Sequence, residues 1–217
     1  MRFGLIGAGE IGALRARAVE RLPGSSVVIA ADLDPVRASS VAPEGAGDPR
    51  YVFEREDVDA VLVCTPPDSH EAHAVAALEA GKHVLCEKPL APTPDAARRM
   101  AETARRHGRV LATGFNQRYF PNLRRIKAFI EQGRIGSVSH IRAYAGHRGL
   151  SEFRSPAERD PNVIGGGALM DNGIHLIDHV RYLGGDFDEV RGFASEAIWN
   201  ISGAEDNAVA TLTARDG

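Results

Sequence analysis

The sequence predicts an α/β fold in which a doubly wound parallel sheet is followed by a smaller, partial α+β domain. Five short apolar segments rich in β-branched residues alternate with segments of helical period, at residues 3–6, 27–31, 60–64, 83–86 and 110–113. This alternation is typical of βαβ units, whose strands pair in parallel. A glycine-rich turn directly after the first segment supports the same interpretation.

The helices predicted between these strands have recognisable ends. One begins near residues 67–69 and stops at Gly81. The next has Thr93 as its N-cap, Pro94 at the first helical position and Gly108 after its last turn. Both pairs of ends agree with the predicted strands on either side.

The character of the sequence changes after Gly114, where a second domain begins. We expect a dinucleotide-binding domain over residues 1–118 and an incomplete substrate and oligomerisation domain over residues 119–217. The elements predicted for the second domain are a helix at 121–132, a strand at 137–145, a glycine-rich loop at 160–167, a helix at 168–183 and antiparallel strands at 189–199 and 207–214.

Composition limits the classes of function. The chain has 217 residues, 43% of them hydrophobic and 25% charged, and a formal net charge of −3. This charge provides no general attraction for nucleic acid or for an anionic membrane surface. The sequence lacks a secretory signal and any apolar run of about 18 residues, so we expect a cytoplasmic protein. Cys64 and Cys86 are then expected to be buried free thiols.

A glycine motif connects the first strand to a helix. Gly7, Gly9 and Gly12 have the G-x-G-x-x-G spacing, with Glu10 and Ile11 between the last two. The first glycine permits a tight turn, the second lets a pyrophosphate approach the backbone, and the third lets the helix pack closely on the strand. The motif in this strand-turn-helix context predicts a Rossmann dinucleotide-binding site.

The end of the second strand bears on the choice of cofactor. Asp32 lies about 20 residues after the glycine motif, where the fold places an acid on the ribose hydroxyls. A carboxylate there repels a 2′-phosphate, so the sequence favours NAD over NADP. Arg37, in the following helix, is the residue that could still accommodate NADP. Asp34 is the competing acid, although its position before Pro35 is that of a helix N-cap.

Four further motifs are more specific than the glycine turn. They are Thr65-Pro66-Pro67, Glu87-Lys88-Pro89, the segment 114–118 (GFNQR) and the segment 165–175 (GGGALMDNGIH). With these motifs the chain resembles the Gfo/Idh/MocA family of oxidoreductases over nearly its whole length. The resemblance implies a Rossmann domain, then a domain with an open antiparallel sheet that forms oligomer contacts, and a sugar or polyol bound in the cleft between them.

The same resemblance assigns roles to individual residues. The residues expected to border the cofactor are Thr65, Pro66, His70, Glu87, Lys88 and Asn116. For His70, an exposed place in the first turn of its helix is an equal alternative. Asp171 and His175 are expected to enter the site from the second domain.

The chemistry of alcohol oxidation suits three of these residues. A base must take the hydroxyl proton while the nicotinamide accepts the hydride. Lys88 and His175 are the candidate acid–base groups, since histidine exchanges protons near neutrality. Asp171 is four residues before His175, so on a regular helix the two share one face. The alternative is that Asp171 only caps the helix and His175 lies in the core.

His179 raises the possibility of a metal site, because it lies four residues after His175. Leu176 stands where a zinc-protease motif would have glutamate, so no metal is expected.

Three functions remain open from the sequence. The first is an NAD-dependent dehydrogenase acting on a sugar or polyol. The second is an NAD-dependent glycoside hydrolase of the same family, and the third is a catalytically silent NAD-binding module. The sequence ends partway through the expected sheet, so we expect a C-terminally shortened chain. The residues that discriminate between substrates are expected at 147–160 or after residue 217.

Overall fold

The chain divides into two compact units in the computed structural model, which describes residues 1–152 and 156–215. The units are Met1–Gly114 and Phe115–Gly217, so this division falls slightly before the boundary after Arg118 that the sequence suggests. Each unit has its own sheet, with six strands in the first and two in the second. Residues 153–155, which belong to the predicted substrate loop, lie outside the described part of the chain.

The first unit is built on a parallel sheet. Its strands are β1 (Arg2–Ile6), β2 (Ser26–Ala31), β3 (Gly45–Ala46), β4 (Ala60–Val63), β5 (His83–Cys86) and β6 (Leu111–Thr113). The order across the sheet is β3-β2-β1-β4-β5-β6, and every pair is parallel. This is the strand order of the doubly wound dinucleotide-binding fold, so the predicted fold class is confirmed.

The helices of this unit end where the local sequence indicates. They are α1 (Glu10–Glu20), α2 (Pro35–Val41), α3 (Arg50–Phe53), α4 (His70–Glu79) and α5 (Pro94–Arg106). Asp34 accepts a hydrogen bond from the N–H of Val36 and caps α2. Thr93 accepts one from the N–H of Ala96 and caps α5. Both predicted caps are confirmed; each satisfies a backbone donor that has no partner within its helix.

The core of the first unit lies on both faces of the sheet. All four residues of β4 are buried, as expected for a central parallel strand covered by helices on each side. Leu78 of α4 and Met100 of α5 are fully buried against it. The predicted strands at 60–64 and 110–113 each extend one residue beyond β4 and β6. Strand β3 was not predicted, because two residues are too few to show a period.

The second unit combines helices with an antiparallel hairpin. Its regular elements are α6 (Pro121–Glu131), α7 (Pro161–Ile164), α8 (Ile174–Gly184), β7 (Phe187–Ser195) and β8 (Asn207–Ala214). The antiparallel pairing of the last two strands is confirmed. None of the helices described in either unit is both long and apolar enough to cross a lipid bilayer.

Three predictions for the second unit are wrong in detail. Residues 137–145 form no strand, because no other strand among the described residues pairs with them. Strand β7 ends at Ser195 rather than at Trp199, because the next backbone N–H groups donate to the carboxylate of Asp206. The helix predicted at 168–183 begins with a π-helical turn, Leu169–Gly173, before α8.

Candidate active site

The turn between β1 and α1 has the geometry of a dinucleotide site. Gly7 has a φ of +87°, and a Cβ on it would lie 2.7 Å from the backbone of Cys64. A Cβ on Gly12 would lie 2.0 Å from the carbonyl oxygen of Gly7, whereas one on Gly9 would meet nothing within 4 Å. Packing within the protein therefore requires the first and third glycines. The second leaves open space that fits a pyrophosphate at the N-terminus of α1.

Four other residues expected to contact the cofactor lie in turns of the first unit. Glu10 and Ile11 form the first turn of α1, and both are exposed. Thr65 and Pro66 follow β4, directly beside the glycine turn, since a Cβ on Gly7 would lie 2.8 Å from the Thr65 nitrogen. The two turns therefore meet at the point where the order of strands reverses, which is where this fold binds its ligands.

Asp32 is fixed beside the glycine turn. One oxygen of its carboxylate accepts a hydrogen bond of 2.7 Å from the N–H of Ala8, and the other accepts one of 2.9 Å from the N–H of Asp34. The guanidinium of Arg37 lies 3.1 Å from Asp32 and 3.4 Å from Asp34. Arg37 is therefore close enough to both acids to influence the choice of cofactor.

His70 differs from both alternatives that the sequence left open. Its side chain is fully buried, so it is neither exposed nor open to the cofactor. The ring nitrogen Nδ1 lies 2.9 Å from the carbonyl oxygen of Pro89, and Nε2 lies 2.8 Å from that of Thr65. The expectation that His70 borders the cofactor is corrected: both nitrogens are occupied by protein groups, and the ring joins the turn after β4 to the turn after β5.

Glu87 is likewise engaged within the protein. Its carboxylate accepts a hydrogen bond of 2.5 Å from Nε of Arg15, in α1. The guanidinium also lies 3.5 Å from the carbonyl oxygen of Gly114, where a Cβ would come within 2.6 Å of the Glu87 carboxylate. Arg15 was not predicted from the sequence. The pair links the helix of the glycine motif to the ends of β5 and β6.

Lys88 follows this anchored glutamate. Its backbone N–H lies 3.3 Å from the Glu87 carboxylate, and its peptide bond to Pro89 is cis. The residue is half-buried, and Pro89 is buried. Lys88 is thus placed just past the carboxyl end of β5, between a paired carboxylate and a proline whose carbonyl contacts His70.

In the second unit, Asp171 and His175 lie on two different kinds of helix. Asp171 belongs to the π-helical turn and His175 to α8, so the regular α-helical spacing assumed for this pair does not hold across the junction. His175 is 7% exposed, and its ring packs edge-on against Phe115 at 5.9 Å. No side chain at Ala168 caps the π-helical turn.

Glu205 supplies the missing cap and was not predicted from the sequence. Its carboxylate accepts hydrogen bonds from the N–H groups of Gly167, at 2.7 Å, and Leu169, at 2.9 Å. Its backbone carbonyl accepts one of 2.7 Å from Ala168. Because Glu205 lies between β7 and β8, far along the chain, no local pattern in the sequence indicates this contact.

Asn116 lies in a single 3₁₀ turn, Asn116–Tyr119, at the start of the second unit. Arg118 of that turn forms two bonds to the buried carboxylate of Asp178 in α8, at 2.8 and 2.5 Å. The bond to Asp178 raises the pKa of Arg118 further, and the guanidinium also lies over the ring of Tyr182. These contacts attach the turn that carries Asn116 to the helix that carries His175.

The cysteines and histidines form no further site among the described residues. Both cysteines are free thiols, as predicted, but only Cys86 is buried and Cys64 is half-buried. Desolvation still raises the pKa of Cys64 to about 12. Burial lowers the pKa of His179. Within the described chain, no group of three histidine, cysteine or acidic side chains is arranged to hold a metal ion.

Comparison with known proteins agrees with this geometry. A family profile described as "Oxidoreductase family, NAD-binding Rossmann fold" matches residues 1–115, and the GFO/IDH/MocA C-terminal domain matches residues 123–217. The chain is 33% identical to the uncharacterised oxidoreductase YrbE of Bacillus subtilis, over 99% of this chain and 64% of that protein. It is 31% identical to myo-inositol 2-dehydrogenase of Thermotoga maritima, over 100% of this chain and 66% of that protein.

A solved structure gives the same result. Levoglucosan dehydrogenase in complex with NADH superposes with a TM-score of 0.87 at 26% identity, covering 100% of this chain and 64% of that one. The chain therefore spans about two thirds of the length of the relatives it matches. From the two profile matches and from the glycine turn that the structure shows, the chain belongs to the Gfo/Idh/MocA oxidoreductase family.

Proposed function

We propose that this chain is part of an NAD-dependent dehydrogenase that oxidises a sugar, a polyol or a related small molecule. The observation that carries the proposal is the position of Lys88. It follows β5 at the same edge of the sheet where Gly7 follows β1 and Asp32 follows β2. In doubly wound sheets the ligand lies across that edge. The named activities of the inositol and levoglucosan dehydrogenases are consistent with such a substrate.

Roles in the reaction are proposed for residues of each unit. Bound NAD would accept the hydride. Lys88 and His175 would serve as the acid–base groups for the hydroxyl proton, and Asp171 would bind a substrate hydroxyl or support the imidazole. The packing of His175 against Phe115 restricts its ring to few orientations, and such restriction reduces the entropy lost on reaching the transition state.

The preference for NAD is part of the same proposal. Asp32 is held in place by the N–H groups of Ala8 and Asp34, so its carboxylate stays where the ribose hydroxyls are bound in this fold. Arg37 is engaged with both acids rather than free to bind a 2′-phosphate. A cytoplasmic location and association of subunits through the antiparallel sheet complete the proposal.

A substrate screen tests the proposal. The chain would be mixed with NAD and a panel of polyols and pyranosides, and reduced nicotinamide would be followed by its absorbance. With the best substrate, Lys88→Ala and His175→Ala are each expected to lower kcat by about 10²-fold with little change in NAD affinity. Lys127→Ala, which removes a lysine paired with Glu131 on α6, is the control and should leave kcat unchanged.

Two outcomes would contradict the proposal. Failure to reduce NAD with any member of the panel would remove the dehydrogenase assignment, and full activity of Lys88→Ala would remove the proposed role of that lysine. Turnover of a glycoside without net reduction of NAD would favour the hydrolase instead.

A further inference from the structure

Glu205 satisfies the whole start of the helix that carries the proposed catalytic residues of the second unit. The first four N–H groups of any helix lack partners inside it. Here the carboxylate of Glu205 lies 2.7 Å from the nitrogen of Gly167, 2.9 Å from that of Leu169 and 3.3 Å from that of Met170. The backbone carbonyl of Glu205 accepts from the N–H of Ala168. Four consecutive donors are therefore bound by one residue.

The glycines before this turn are explained by the same contact. A Cβ on Gly167 would lie 2.1 Å from the carbonyl oxygen of Glu205 and 2.6 Å from its nitrogen. A Cβ on Gly166 would lie 3.2 Å from the Glu205 carboxylate. The glycine-rich segment thus lets the backbone approach Glu205 closely.

The loop that carries Glu205 is itself fixed. Ala204 is 1% exposed, and its N–H donates to the carbonyl oxygen of Ile201 at 3.0 Å. On the other side, the N–H of Asp206 donates to Ser195, at the end of β7. The two flanking residues therefore hold Glu205 in a defined position between β7 and β8, which limits how far the capped turn can move.

We infer that Glu205 is a positioning residue for Asp171 and His175, an inference that rests on the proposed function. Asp171 is the first residue after the four capped donors, and its own N–H bonds back to Gly167 at 2.9 Å. Loss of the cap frees the turn in which Asp171 lies, directly before the helix of His175. A displacement of about 1 Å at a catalytic group costs up to about 10²-fold in rate.

The test compares two neighbouring carboxylates that each bind several backbone N–H groups. Glu205→Ala is expected to lower kcat by about 30-fold to 100-fold, with the affinity for NAD within about twofold of wild type. Glu205→Gln should fall in between, because the amide keeps one acceptor oxygen. The shape of the pH profile of kcat should be unchanged in Glu205→Gln, since Glu205 transfers no proton. Asp206→Asn is the control: it alters only the side-chain bonds to residues 197–199, keeps the backbone N–H bond to Ser195 that holds Glu205, and should keep its kcat.

Amide hydrogen exchange gives a second measurement that does not depend on activity. Glu205→Gln should accelerate exchange at residues 167–170 and not at 197–199, and Asp206→Asn should do the reverse. An inactive wild type would contradict the proposed function, and exchange would still decide whether Glu205 holds the turn. The inference is overturned if Glu205→Ala keeps its kcat, if NAD affinity falls as much as kcat, or if exchange at 167–170 is unchanged. Failure of Glu205→Gln to fold would also overturn it, because the residue would then serve folding rather than positioning.

Discussion

The two glycine segments of this protein look alike in sequence but are stabilised in different ways. The turn at Gly7–Gly12 follows β1 directly, and the closest contact of its last glycine is with the carbonyl of its first, five residues earlier. The segment at 165–167 closes on Glu205, which is 38 residues beyond Gly167. The requirement for Gly12 is therefore local, although Gly7 also packs against the backbone of Cys64, whereas the second segment depends on a partner in a later hairpin.

This difference explains why the packing of Gly12 could be predicted from the sequence and the partner of the second segment could not. A turn whose spacing is set by its own residues leaves a pattern of three glycines at fixed intervals. A turn whose spacing is set by a partner from a later hairpin leaves only glycines and no sign of the partner. The turn that carries Asp171 is therefore held by a contact with Glu205 that only the structure reveals.

The largest expected effect tests whether the first glycine turn is locally determined. In Gly12→Ala, the added methyl group would overlap the carbonyl of Gly7, so we expect the unfolding free energy to fall by about 2–3 kcal/mol and NAD affinity by at least about 100-fold. Gly9→Ala is the matched control. It should unfold at the wild-type denaturant concentration and still lose NAD affinity, because its methyl group enters only the space proposed for pyrophosphate. If Gly12→Ala bound NAD with wild-type affinity, the contact between Gly12 and Gly7 would not determine the shape of the turn.

The next effect concerns Asp32, which is held by the glycine turn itself. Asp32→Ala removes both the ribose acceptor and the repulsion of a 2′-phosphate, so the ratio of NAD to NADP affinity should fall by about tenfold. Isothermal titration with both cofactors measures this ratio. Arg37→Ala is the companion variant and should not raise the affinity for NADP. Equal affinities of the wild-type chain for the two cofactors would contradict the assignment of Asp32.

A smaller effect is expected at the Arg15–Glu87 pair, a long-range contact of the first unit. Both side chains are mostly buried, so Arg15→Ala leaves a carboxylate without its partner beside Lys88. We expect kcat to fall by about fivefold, with NAD affinity nearly unchanged, and Arg15→Lys to recover part of the loss. Steady-state kinetics and direct titration of NAD separate the two quantities. An unchanged kcat would show that the Arg15–Glu87 pair does not contribute to the position of Lys88.

The smallest effect is a pH response of the hairpin loop that carries Glu205. The N–H groups of Trp199 and its two predecessors lower the pKa of Asp206 from 3.8 to about 2. A lowered pKa means that these bonds stabilise the loop above pH 4 and are lost as the pH falls through about 2. Trp199 is the only tryptophan, so its fluorescence should change in that interval. In Asp206→Asn the transition at this pH should be absent. Identical titrations of the two proteins would contradict the assignment.

The features that were predicted correctly have local sequence patterns, and the features that were missed depend on distant contacts. The strands of the parallel sheet, the caps of α2 and α5 and the glycine turn could be predicted because each leaves a local pattern in the sequence, even though the paired strands are distant along the chain. The strand predicted at 137–145 was wrong, because an extended segment becomes a strand only when another strand pairs with it. His70 was misplaced because its two carbonyl partners belong to separate turns.

The sequence by itself determined the family, the fold class and the identity of the candidate residues, from Asp32 and Lys88 to Asp171 and His175. The fold class and Asp32 follow from periodicity and from spacing within short motifs, whereas the family and the roles of Lys88, Asp171 and His175 follow from the resemblance of those motifs to a known family. Only the tertiary structure showed that Arg15 engages Glu87, that His70 joins two turns and that Glu205 caps the helix of Asp171. A buried polar group forms hydrogen bonds with the groups that the fold places beside it, and these can be close to it or distant from it in the sequence.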